Sequence, residues 1–228
     1  MGKKIGAVLG GTFLAVAVIG MVILASKMNK LKSVKLNTDK LNISDEVQHE
    51  EGYTNVALFG LDSRENDLGK GNRSDTTMIA SLNNDTKEVK LVSIYRDTLL
   101  ELDDGSYNKA NAAYAFGGPE GAVSLINRNL DMNIEKYVTV NFNALVDVID
   151  AVGGLDLELT HDEVVHMNNY CVETSKVTGK SYEKIEPEVE RTYHLNGVQA
   201  VSYSRIRYTA GGDFKRAERQ RLVLQKIA

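Results

Sequence analysis

Residues 55–64 read NVALFGLDSR, and this stretch decides the fold. Its first six residues, Asn55 to Gly60, form a short apolar run that ends in glycine, which is the pattern of a buried β-strand. Asp62 follows this strand almost at once. Charged side chains at the end of a central strand lie where open α/β sheets bind their ligands. The stretch therefore predicts a central strand that delivers a carboxylate to a binding site.

The segments that follow alternate between strand and helix patterns. Two strand-like runs, residues 76–82 and 88–94, enclose the turn residues NNDT at 83–86, so we expect a hairpin. The other predicted elements are strands at 137–140 and 155–159 and helices at 119–130, 144–152, 196–203 and 214–227. This alternation predicts an α/β fold, an α+β sandwich in which a central mixed β-sheet is flanked by helices.

The composition is that of an ordinary folded chain with one local concentration of positive charge. The 228 residues carry 27 Lys and Arg against 31 Asp and Glu, and a net charge of −4 provides no basic field for nucleic acid. Within residues 205–221, however, there are six basic residues and only two acids, Asp213 and Glu218. This concentration predicts a bound anion, and a solvated helix face is the alternative.

The N-terminal fifth of the chain predicts a membrane anchor and a stalk. Ile5 to Ala25 is a run of 21 uncharged, mostly apolar residues, which as a helix spans roughly 30 Å of hydrocarbon. A cleaved signal peptide is the alternative, but the run is long for one and Leu24 is large for a cleavage site. The predicted organisation is a short cytoplasmic N-terminus at 1–4, a transmembrane anchor at 5–25, a stalk or linker at 26–52 and a folded domain at 53–228.

Two aspartates lie at the ends of predicted strands. Asp62 follows the first strand, and Asp75 precedes the second. If these strands pair, both carboxylates lie at one edge of the sheet, where they could share a cation. Two carboxylates together with substrate phosphate oxygens suit Mg²⁺. Turn formation and capping are the common alternative roles of such aspartates.

Arginine recurs where predicted elements end. Arg96 follows the third strand, and an ion pair with Asp97 or another carboxylate is an equal alternative to anion binding there. Arginine's planar fork matches phosphate oxygens bidentately, so several arginines near a magnesium ion would neutralise a pyrophosphate.

The arginine-rich segment holds two pairs of candidate phosphate ligands. Arg205 and Arg207 are two residues apart, so in an extended segment both side chains point to one face. Arg216 and Gln220 are four residues apart on the last predicted helix, with Arg219 beside them, so their side chains also converge.

The sequence shows no conventional nucleophile. Cys171, the single cysteine, lies in the polar segment 160–191, which we interpret as an insertion or a long loop, and has no obvious histidine partner. His161 and His166 are five residues apart, one more than the usual zinc-binding pair, so we interpret them as loop histidines. Direct displacement on phosphorus by a bound hydroxyl therefore fits better than a covalent enzyme intermediate.

Seven motifs follow one another between residues 55 and 227. In chain order they are NVALFGLDSR, RSDTTMIASL, VKLVSIYRDTL, NKANAAYAFGGPEGA, VNFNALVDVIDAVGGLDLEL, HLNGVQAVSYSRIR and GGDFKRAERQRLVL. In content and order they resemble the LytR-CpsA-Psr family, envelope-attachment ligases of mainly Gram-positive bacteria. Tyr95 stands where most relatives carry proline, residues 160–191 match no family motif, and the last helix is expected to continue beyond Ala228.

The resemblance implies roles for individual residues. The acids of the D-S-R and R-S-D motifs bind Mg²⁺ in the family, with Mn²⁺ as an alternative, which implies that role for Asp62 and Asp75. Arg96 is the third implied catalytic residue. The residues that fall on the family's pyrophosphate-binding positions are Arg96, Arg205, Arg207, Arg216 and Gln220, with Lys109 nearby.

The resemblance also implies a reaction and a location. The family moves a glycopolymer phosphate, of a teichoic acid, a capsule or a similar polymer, from an undecaprenyl-pyrophosphate carrier to a peptidoglycan hydroxyl and releases undecaprenyl phosphate. Residues 53–228 would form an extracytoplasmic catalytic domain, with a lipid tunnel in its α/β core, held at the cytoplasmic membrane by a single-pass anchor. A lipid pyrophosphate hydrolase and a non-catalytic, anionic-polymer-binding regulator of cell-wall assembly are the alternatives.

Overall fold

In the part of the chain that the structure describes, five strands come before the first long helix, and strands then alternate with helices until the last two helices, which follow one another. A computed structural model describes residues 33–44, 52–63 and 68–227. The strands are β1 (Tyr53–Leu61), β2 (Ser74–Asn83), β3 (Val89–Ile94), β4 (Leu99–Glu101), β5 (Tyr107–Lys109), β6 (Lys136–Asn141), β7 (Leu155–Leu159) and β8 (Arg191–Leu195). The helices are α1 (Ala110–Leu130), α2 (Phe142–Ala151), α3 (His161–Thr178), α4 (Gly197–Ser204) and α5 (Gly212–Ile227). The expected α/β class is confirmed.

The described residues divide into two units. Unit 1 comprises the described residues 33–44, 52–62 and 68–139, and unit 2 comprises residues 63 and 140–227. Unit 1 is built on a four-stranded sheet of order β3–β2–β1–β6. Unit 2 combines the antiparallel pair β7–β8 with α2, α3, α4 and α5.

The predicted hairpin is confirmed. Strands β2 and β3 pair antiparallel, with Leu82 opposite Val89. The side-chain oxygen of Asn83 accepts hydrogen bonds from the backbone N–H groups of Asp85 and Thr86, each at 2.9 Å. This local bonding is why asparagine favours turns, and it closes the connection between the two strands.

The core of unit 1 forms between the sheet and α1. Along β1, side chains alternate between buried and half-buried from Asn55 onward. Phe59 of β1 packs edge-to-face on Tyr114 of α1, with ring centroids 5.2 Å apart, and Val123 and Ile126 complete this contact region with no exposed surface. Burial of each such side chain contributes about 1.5–3 kcal/mol to folding, so this packing fixes the sheet against α1.

Helix α1 begins nine residues earlier than the sequence predicts. Its backbone breaks at Gly118, which adopts φ 66° and ψ −156°. Pro119 follows, and proline both lacks an N–H group and restricts the residue before it, so the helical hydrogen-bond ladder is interrupted at this point. The predicted helix 119–130 is therefore the second half of α1, and residues 110–117 form its first half.

Part of the predicted stalk belongs to the core of unit 1. Leu41 is fully buried in the same hydrophobic cluster as Phe59, and Leu36 and Ile43 pack against that cluster. The side-chain amide of Asn127 donates a hydrogen bond of 2.9 Å to the carbonyl of Leu41. Because this stretch is mostly polar, the contacts of its three apolar residues with the core were not predicted. The prediction of a stalk was therefore wrong for residues 36–43.

The interpretation of residues 160–191 as an insertion or long loop was wrong for residues 161–178, whereas residues 179–190 contain no helix or strand. Residues 161–178 form α3, which begins with a capping box: Thr160 N–H donates to Glu163 Oε2 at 3.0 Å, and Glu163 N–H donates to Thr160 Oγ1 at 3.3 Å. The helix buries a narrow stripe that includes Cys171 and Thr174. Because that stripe contains polar and small residues, the helix carries little apolar periodicity in its sequence.

Helices α2 and α4 approach each other closely at Gly197. A Cβ atom at this position would collide with the carbonyl oxygen of Val146. The Gly197 N–H donates a hydrogen bond of 2.6 Å to Asp150 Oδ1, and Lys180 contacts the same carboxylate at 2.9 Å. Glycine is thus required for the contact that places α4, whose last residue precedes Arg205.

The membrane anchor predicted at 5–25 lies outside the described residues, as do residues 26–32 and 45–51 of the predicted stalk. Among the residues described, no helix combines the length and hydropathy needed to cross a membrane.

Candidate functional site

A β-bulge shapes the end of the β1–β2 pair. Gly60 lies opposite Thr76, whereas Leu61 lies opposite Ser74, so Asp75 is the extra residue on β2. A Cβ on Gly60 would come within 3.0 Å of the Thr76 side chain, which explains glycine there. Bulges leave one residue out of the ladder and redirect side chains at functional edges. The bulge therefore sets Asp75 apart from its neighbours on β2, which pair with β1.

The structure brings Asp62 and Asp75 to the same end of this strand pair. Asp62 follows Leu61 and is exposed, and the Asp75 side chain exposes 31% of its surface. In residues 33–44, 52–63 and 68–227, no group of three or more His, Cys, Asp or Glu residues could hold a metal ion. Mg²⁺ does not need such a group, because it binds through one or two carboxylates together with waters and substrate phosphates. The pair Asp62 and Asp75 fits that demand, and metal binding stays a prediction.

Four charged side chains of unit 1 form a continuous row, which we call the acid–base row: Asp75, Arg96, Asp97 and Lys109. Arg96 Nη1 contacts Asp75 Oδ1 at 2.9 Å and Arg96 Nε lies 3.7 Å from Asp97 Oδ2. Lys109 Nζ contacts Asp97 Oδ1 at 2.6 Å. Both cations thus lie beside carboxylates, as the ion-pair alternative for Arg96 predicted. A partly exposed arginine and lysine held in this way are also preorganised to receive phosphate oxygens.

The N-terminus of α1 fixes the loop that carries Arg96. The backbone N–H of Ala110 donates to Thr98 O at 2.8 Å, and that of Asn111 donates to Arg96 O at 3.1 Å. Lys109 is the N-cap residue of the same helix. The first helical N–H groups have no partners within the helix, so bonding them to this loop places Arg96 and Lys109 together.

Asn111 is a polar residue that the sequence interpretation missed. Its side chain is 1% exposed, and neither Nδ2 nor Oδ1 has a hydrogen-bond partner among the described residues. Leaving such a group unsatisfied costs about 1–3 kcal/mol. One feature of the sequence could have pointed to Asn111: it is an asparagine among the alanines of NKANAAYAF, two residues after Lys109 of the acid–base row.

Arg205 of unit 2 lies in a different environment from the one predicted. Its backbone is helical, with φ −93° and ψ −11°, because it caps α4, so the alternation argument for an extended segment was wrong. Its Nη1 donates to Thr174 Oγ1 at 3.0 Å and its Nη2 to Glu173 Oε2 at 2.8 Å. Only 15% of the side chain is exposed, so Arg205 is tied to α3.

Arg207 and Arg216 meet at one carboxylate. Arg216 Nη2 lies 2.8 Å from Asp213 Oδ1, and Arg207 Nε lies 3.8 Å from the same atom. The Arg207 side chain is 40% exposed, whereas that of Arg216 is 5% exposed. Gln220 follows Arg216 by about one turn of α5 and is half-buried. The structure therefore brings together three of the predicted phosphate ligands of unit 2 around α5, with Asp213 between the two arginines.

Arg219 braces the segment that carries Arg207. Its Nε donates to Glu163 Oε1 at 2.8 Å, and its two terminal nitrogens donate to Ile206 O at 3.2 Å and Thr209 Oγ1 at 2.7 Å. These two acceptors lie on either side of Arg207 in the chain. Burial, with the nearby Glu163 charge, raises the pKa of the Tyr203 hydroxyl to about 12, so this phenol stays protonated beside Arg219.

Comparison with known protein families identifies the family of this chain. The chain matches the model of the LytR_cpsA_psr family over residues 18–228. This chain belongs to the LytR-CpsA-Psr family. It is 32% identical over 235 residues to the polyisoprenyl-teichoic acid–peptidoglycan teichoic acid transferase TagU of Enterococcus faecalis, covering 99% of this chain and 71% of the relative.

Solved structures of LytR-CpsA-Psr proteins share the fold. The crystal structure of B. subtilis TagT aligns with a TM-score of 0.65 at 26% identity, over 85% of this chain and 72% of that one. A second structure, of the family protein YwtF (TagT) with bound octaprenyl pyrophosphate lipid, aligns with a TM-score of 0.63 at 26% identity, over 86% and 72%. The fold inferred from the sequence motifs is therefore that of the LytR-CpsA-Psr family.

His161, His166 and Cys171 of this LytR-CpsA-Psr protein provide no nucleophile. His161 and His166 lie on α3, so the interpretation as loop histidines was wrong. His161 Nδ1 bonds to the carbonyl of Glu188, and the ring of His166 lies 6.3 Å from that of Tyr208. Cys171 is fully buried, and burial raises the pKa of its thiol to about 11. A neutral, inaccessible thiol cannot attack phosphorus.

Proposed function

We propose that this protein transfers a glycopolymer phosphate from undecaprenyl pyrophosphate to a hydroxyl of peptidoglycan and releases undecaprenyl phosphate. The observation that carries the proposal is the acid–base row in a member of the LytR-CpsA-Psr family. Its relative TagU is named a teichoic acid transferase, and a related TagT structure holds a polyprenyl pyrophosphate. The row presents Arg96 and Lys109 to a ligand of the kind that those names describe.

The proposed step exchanges one P–O bond for another. The acceptor hydroxyl oxygen forms a bond to the phosphorus that carries the polymer, and the bond from that phosphorus to the bridging oxygen breaks. The bridging oxygen leaves with undecaprenyl phosphate, and the hydroxyl proton passes to a base or to solvent. Negative charge grows on the phosphate oxygens and the leaving group, so Arg96 and Lys109 stabilise the transition state more than the ground state.

The proposed reaction uses a divalent metal ion. Asp62 and Asp75 would hold Mg²⁺, with Mn²⁺ as the alternative, and the ion would supply further positive charge to the pyrophosphate. Asp75 would then bridge the ion and Arg96, so that one carboxylate orients both positive groups. In unit 2, Arg207, Arg216 and Gln220 are proposed to bind phosphate. Arg205 keeps that proposed role, although its fork bonds to α3 in this structure.

The location is proposed with the reaction. Residues 5–25 would anchor the protein in the cytoplasmic membrane, and the described residues would face outward, on the side of the peptidoglycan acceptor. Anchoring keeps the catalytic domain close to a substrate that cannot leave the membrane.

The proposal is tested by supplying the purified full chain with a lipid-pyrophosphate-linked glycopolymer, with and without a peptidoglycan acceptor. We expect polymer to become attached to the acceptor and undecaprenyl phosphate to appear only when the acceptor is present. Arg96→Ala and Asp75→Ala should each lower turnover by at least a hundredfold, since the loss of one preorganised charge-stabilising group costs about 2.7–4 kcal/mol in the transition state. Mass spectrometry of the products measures both outcomes.

Arg128→Ala is the matched control for this experiment. Arg128 also lies in unit 1 and forms an ion pair of 3.1 Å with Glu101, with a side chain 31% exposed, but it lies outside the acid–base row. Its replacement should leave turnover within about twofold. Release of polymer phosphate at the same rate without acceptor would instead support a hydrolase, and polymer binding without any turnover would support a regulator. Full activity of both row variants, with unchanged melting curves, would refute the site.

A further inference from the structure

Unit 2 carries a cluster of aromatic rings beside Arg207. We call it the aromatic surface and define it as Phe142, His166, Tyr170 and Tyr208. The Tyr208 ring stacks on Tyr170, with centroids 6.5 Å apart and ring planes 23° apart. The His166 ring lies 6.3 Å from that of Tyr208. His166 and Tyr170 are four residues apart on α3, so they share one face of that helix, and Tyr208 lies over it.

Tyr208 is exposed despite these contacts. It exposes 77% of its surface, more than the 64% of Tyr107 in unit 1. Tyrosine in a protein interior covers its ring and satisfies its hydroxyl, whereas this residue leaves most of its ring available to a ligand. A rigid, amphipathic ring with few rotatable bonds is well suited to ligand contact, because little conformational entropy is lost on binding.

The base of the aromatic surface is fixed by Arg205. Its guanidinium carbon lies 4.4 Å from the centroid of the Phe142 ring and 5.4 Å from that of Tyr170. The hydrogen bonds from Arg205 to Thr174 and Glu173 hold the guanidinium in place. Cation–π contacts of this kind are attractive, and here they immobilise the ring on which Tyr208 stacks. The surface is therefore preorganised.

The position of the aromatic surface next to Arg207 selects its ligand. Tyr208 directly follows Arg207, a proposed phosphate ligand, and the Cα atoms of consecutive residues are about 3.8 Å apart. In a lipid-pyrophosphate-linked glycopolymer, the first sugar is bonded directly to a phosphate. Sugar rings present weakly positive C–H groups, which pack on the negative face of an aromatic ring. The phenol, imidazole and guanidinium groups around the rings can bond to sugar hydroxyls.

We propose that the aromatic surface binds the first sugar of the donor glycopolymer, which stacks on Tyr208. This inference rests on the proposed function, since it assumes that Arg207 binds the donor's phosphate. It adds a carbohydrate subsite, and with it a means of distinguishing a glycosylated donor from bare polyprenyl pyrophosphate.

The test compares two short-chain polyprenyl pyrophosphates, one bearing an N-acetylhexosamine and one without a sugar, by calorimetric titration into the full chain. Tyr208→Ala should weaken binding of the glycosylated lipid roughly three- to tenfold, the range expected when one stacking contact is lost. Binding of the bare lipid should change by less than about twofold. Tyr208→Phe should retain most of the affinity, because it keeps the ring.

Tyr107→Ala, which removes another exposed tyrosine, is the matched control and should leave both affinities unchanged. Equal affinity of wild type and Tyr208→Ala for the glycosylated lipid would overturn the subsite. The subsite would also be overturned if Tyr208→Ala raised the KM for a soluble disaccharide acceptor and left donor binding unchanged, because the surface would then bind the acceptor. Failure of the wild-type protein to bind either lipid would refute the proposed function itself, which separates the two conclusions.

Discussion

At the scale of single residues, the acid–base row shows how function depends on neighbours within hydrogen-bonding distance. Arg96 alone is an arginine after a strand. Between Asp75 and Asp97 it becomes a fixed guanidinium, and its backbone carbonyl is held by the first turn of α1. A fixed fork loses little entropy when phosphate binds, which is the property that a transferase site needs.

Cys171 provides a prediction at this scale. Burial raises the pKa of its thiol to about 11, so the thiolate that reacts with alkylating agents is scarce in the folded state. We expect iodoacetamide at pH 8 to label Cys171 at least a hundredfold more slowly in the folded protein than in guanidinium chloride. Mass spectrometry over time measures both rates, and Cys171→Ser should leave turnover unchanged. Rapid labelling of the folded protein would show that the thiol is accessible.

At the scale of elements, the ion pair between Glu163 and Arg219 joins α3 to α5. Glu163 serves twice, since one carboxylate oxygen caps α3 and the other accepts from Arg219. Arg219 in turn holds the backbone on both sides of Arg207. Arg219 therefore contributes to the placement of another arginine, and each of its three side-chain nitrogens donates to a protein group.

Removal of Glu163 should destabilise unit 2. Glu163→Ala leaves Arg219, with a side chain 5% exposed, without its carboxylate, and we expect the free energy of unfolding to fall by about 3 kcal/mol. Donor binding should weaken as well, because the segment carrying Arg207 loses its brace. Urea titration of the full chain measures the first effect and calorimetry the second.

Glu218→Ala is the matched control, since Glu218 pairs with Lys215 at 2.6 Å on the surface of α5, with both side chains about half exposed. Exposed pairs contribute about 0–1 kcal/mol, so this variant should unfold close to wild type. Similar losses in the two variants would show that Glu163 has no special role.

The sequence predicted those elements whose burial is periodic or strongly apolar. β1 was predicted because its interior residues are hydrophobic, and α2 because its apolar face is wide. Helix α3 was missed because it buries cysteine, threonine and asparagine among polar neighbours. Strand β8 was missed because only Tyr193 and Leu195 of its five residues are buried.

Some residues of the candidate site could be placed from the sequence, and others could not. Asp62 and Asp75 could be placed together from strand order alone, because antiparallel pairing brings the end of one strand to the start of the next. Arg205 could not be placed, because its direction depends on where α4 ends and on its bonds to α3. Tyr208 lies outside the seven motifs, and the motif that contains Asn111 does not show that this side chain is buried; exposure and burial are properties of the folded chain.

At the scale of the whole molecule, binding should appear as added stability. A ligand that binds only the folded state at a hundred times its Kd adds about 2.7 kcal/mol, which for a chain of this size raises the melting temperature by roughly 5–10 °C. We expect Mg²⁺ with inorganic pyrophosphate to produce such a rise in the full chain, and Mg²⁺ alone to produce almost none. Differential scanning calorimetry measures both.

Asp62→Asn combined with Asp75→Asn should abolish the rise in melting temperature that Mg²⁺ and pyrophosphate produce together, while leaving the melting temperature without ligand within a few degrees of wild type. The exposed pair Asp103→Asn and Asp104→Asn serves as a control of equal charge change. An undiminished rise in the Asp62 and Asp75 variant would remove the metal site from the proposal.

The bulge at Asp75 has a consequence for how this protein can change over time. Upstream of the bulge, residues can be gained or lost in the connection to β1 without shifting the hairpin, because the register of residues 76–83 is set by their pairing with β1 and β3. Loss of the extra residue itself would leave both neighbouring strands paired and the core filled, yet would take away the carboxylate. A sheet with the same strand pairing but without the pair of Asp62 and Asp75 is thus one deletion away, and conversely one insertion at a strand end is enough to equip such a sheet with an acid.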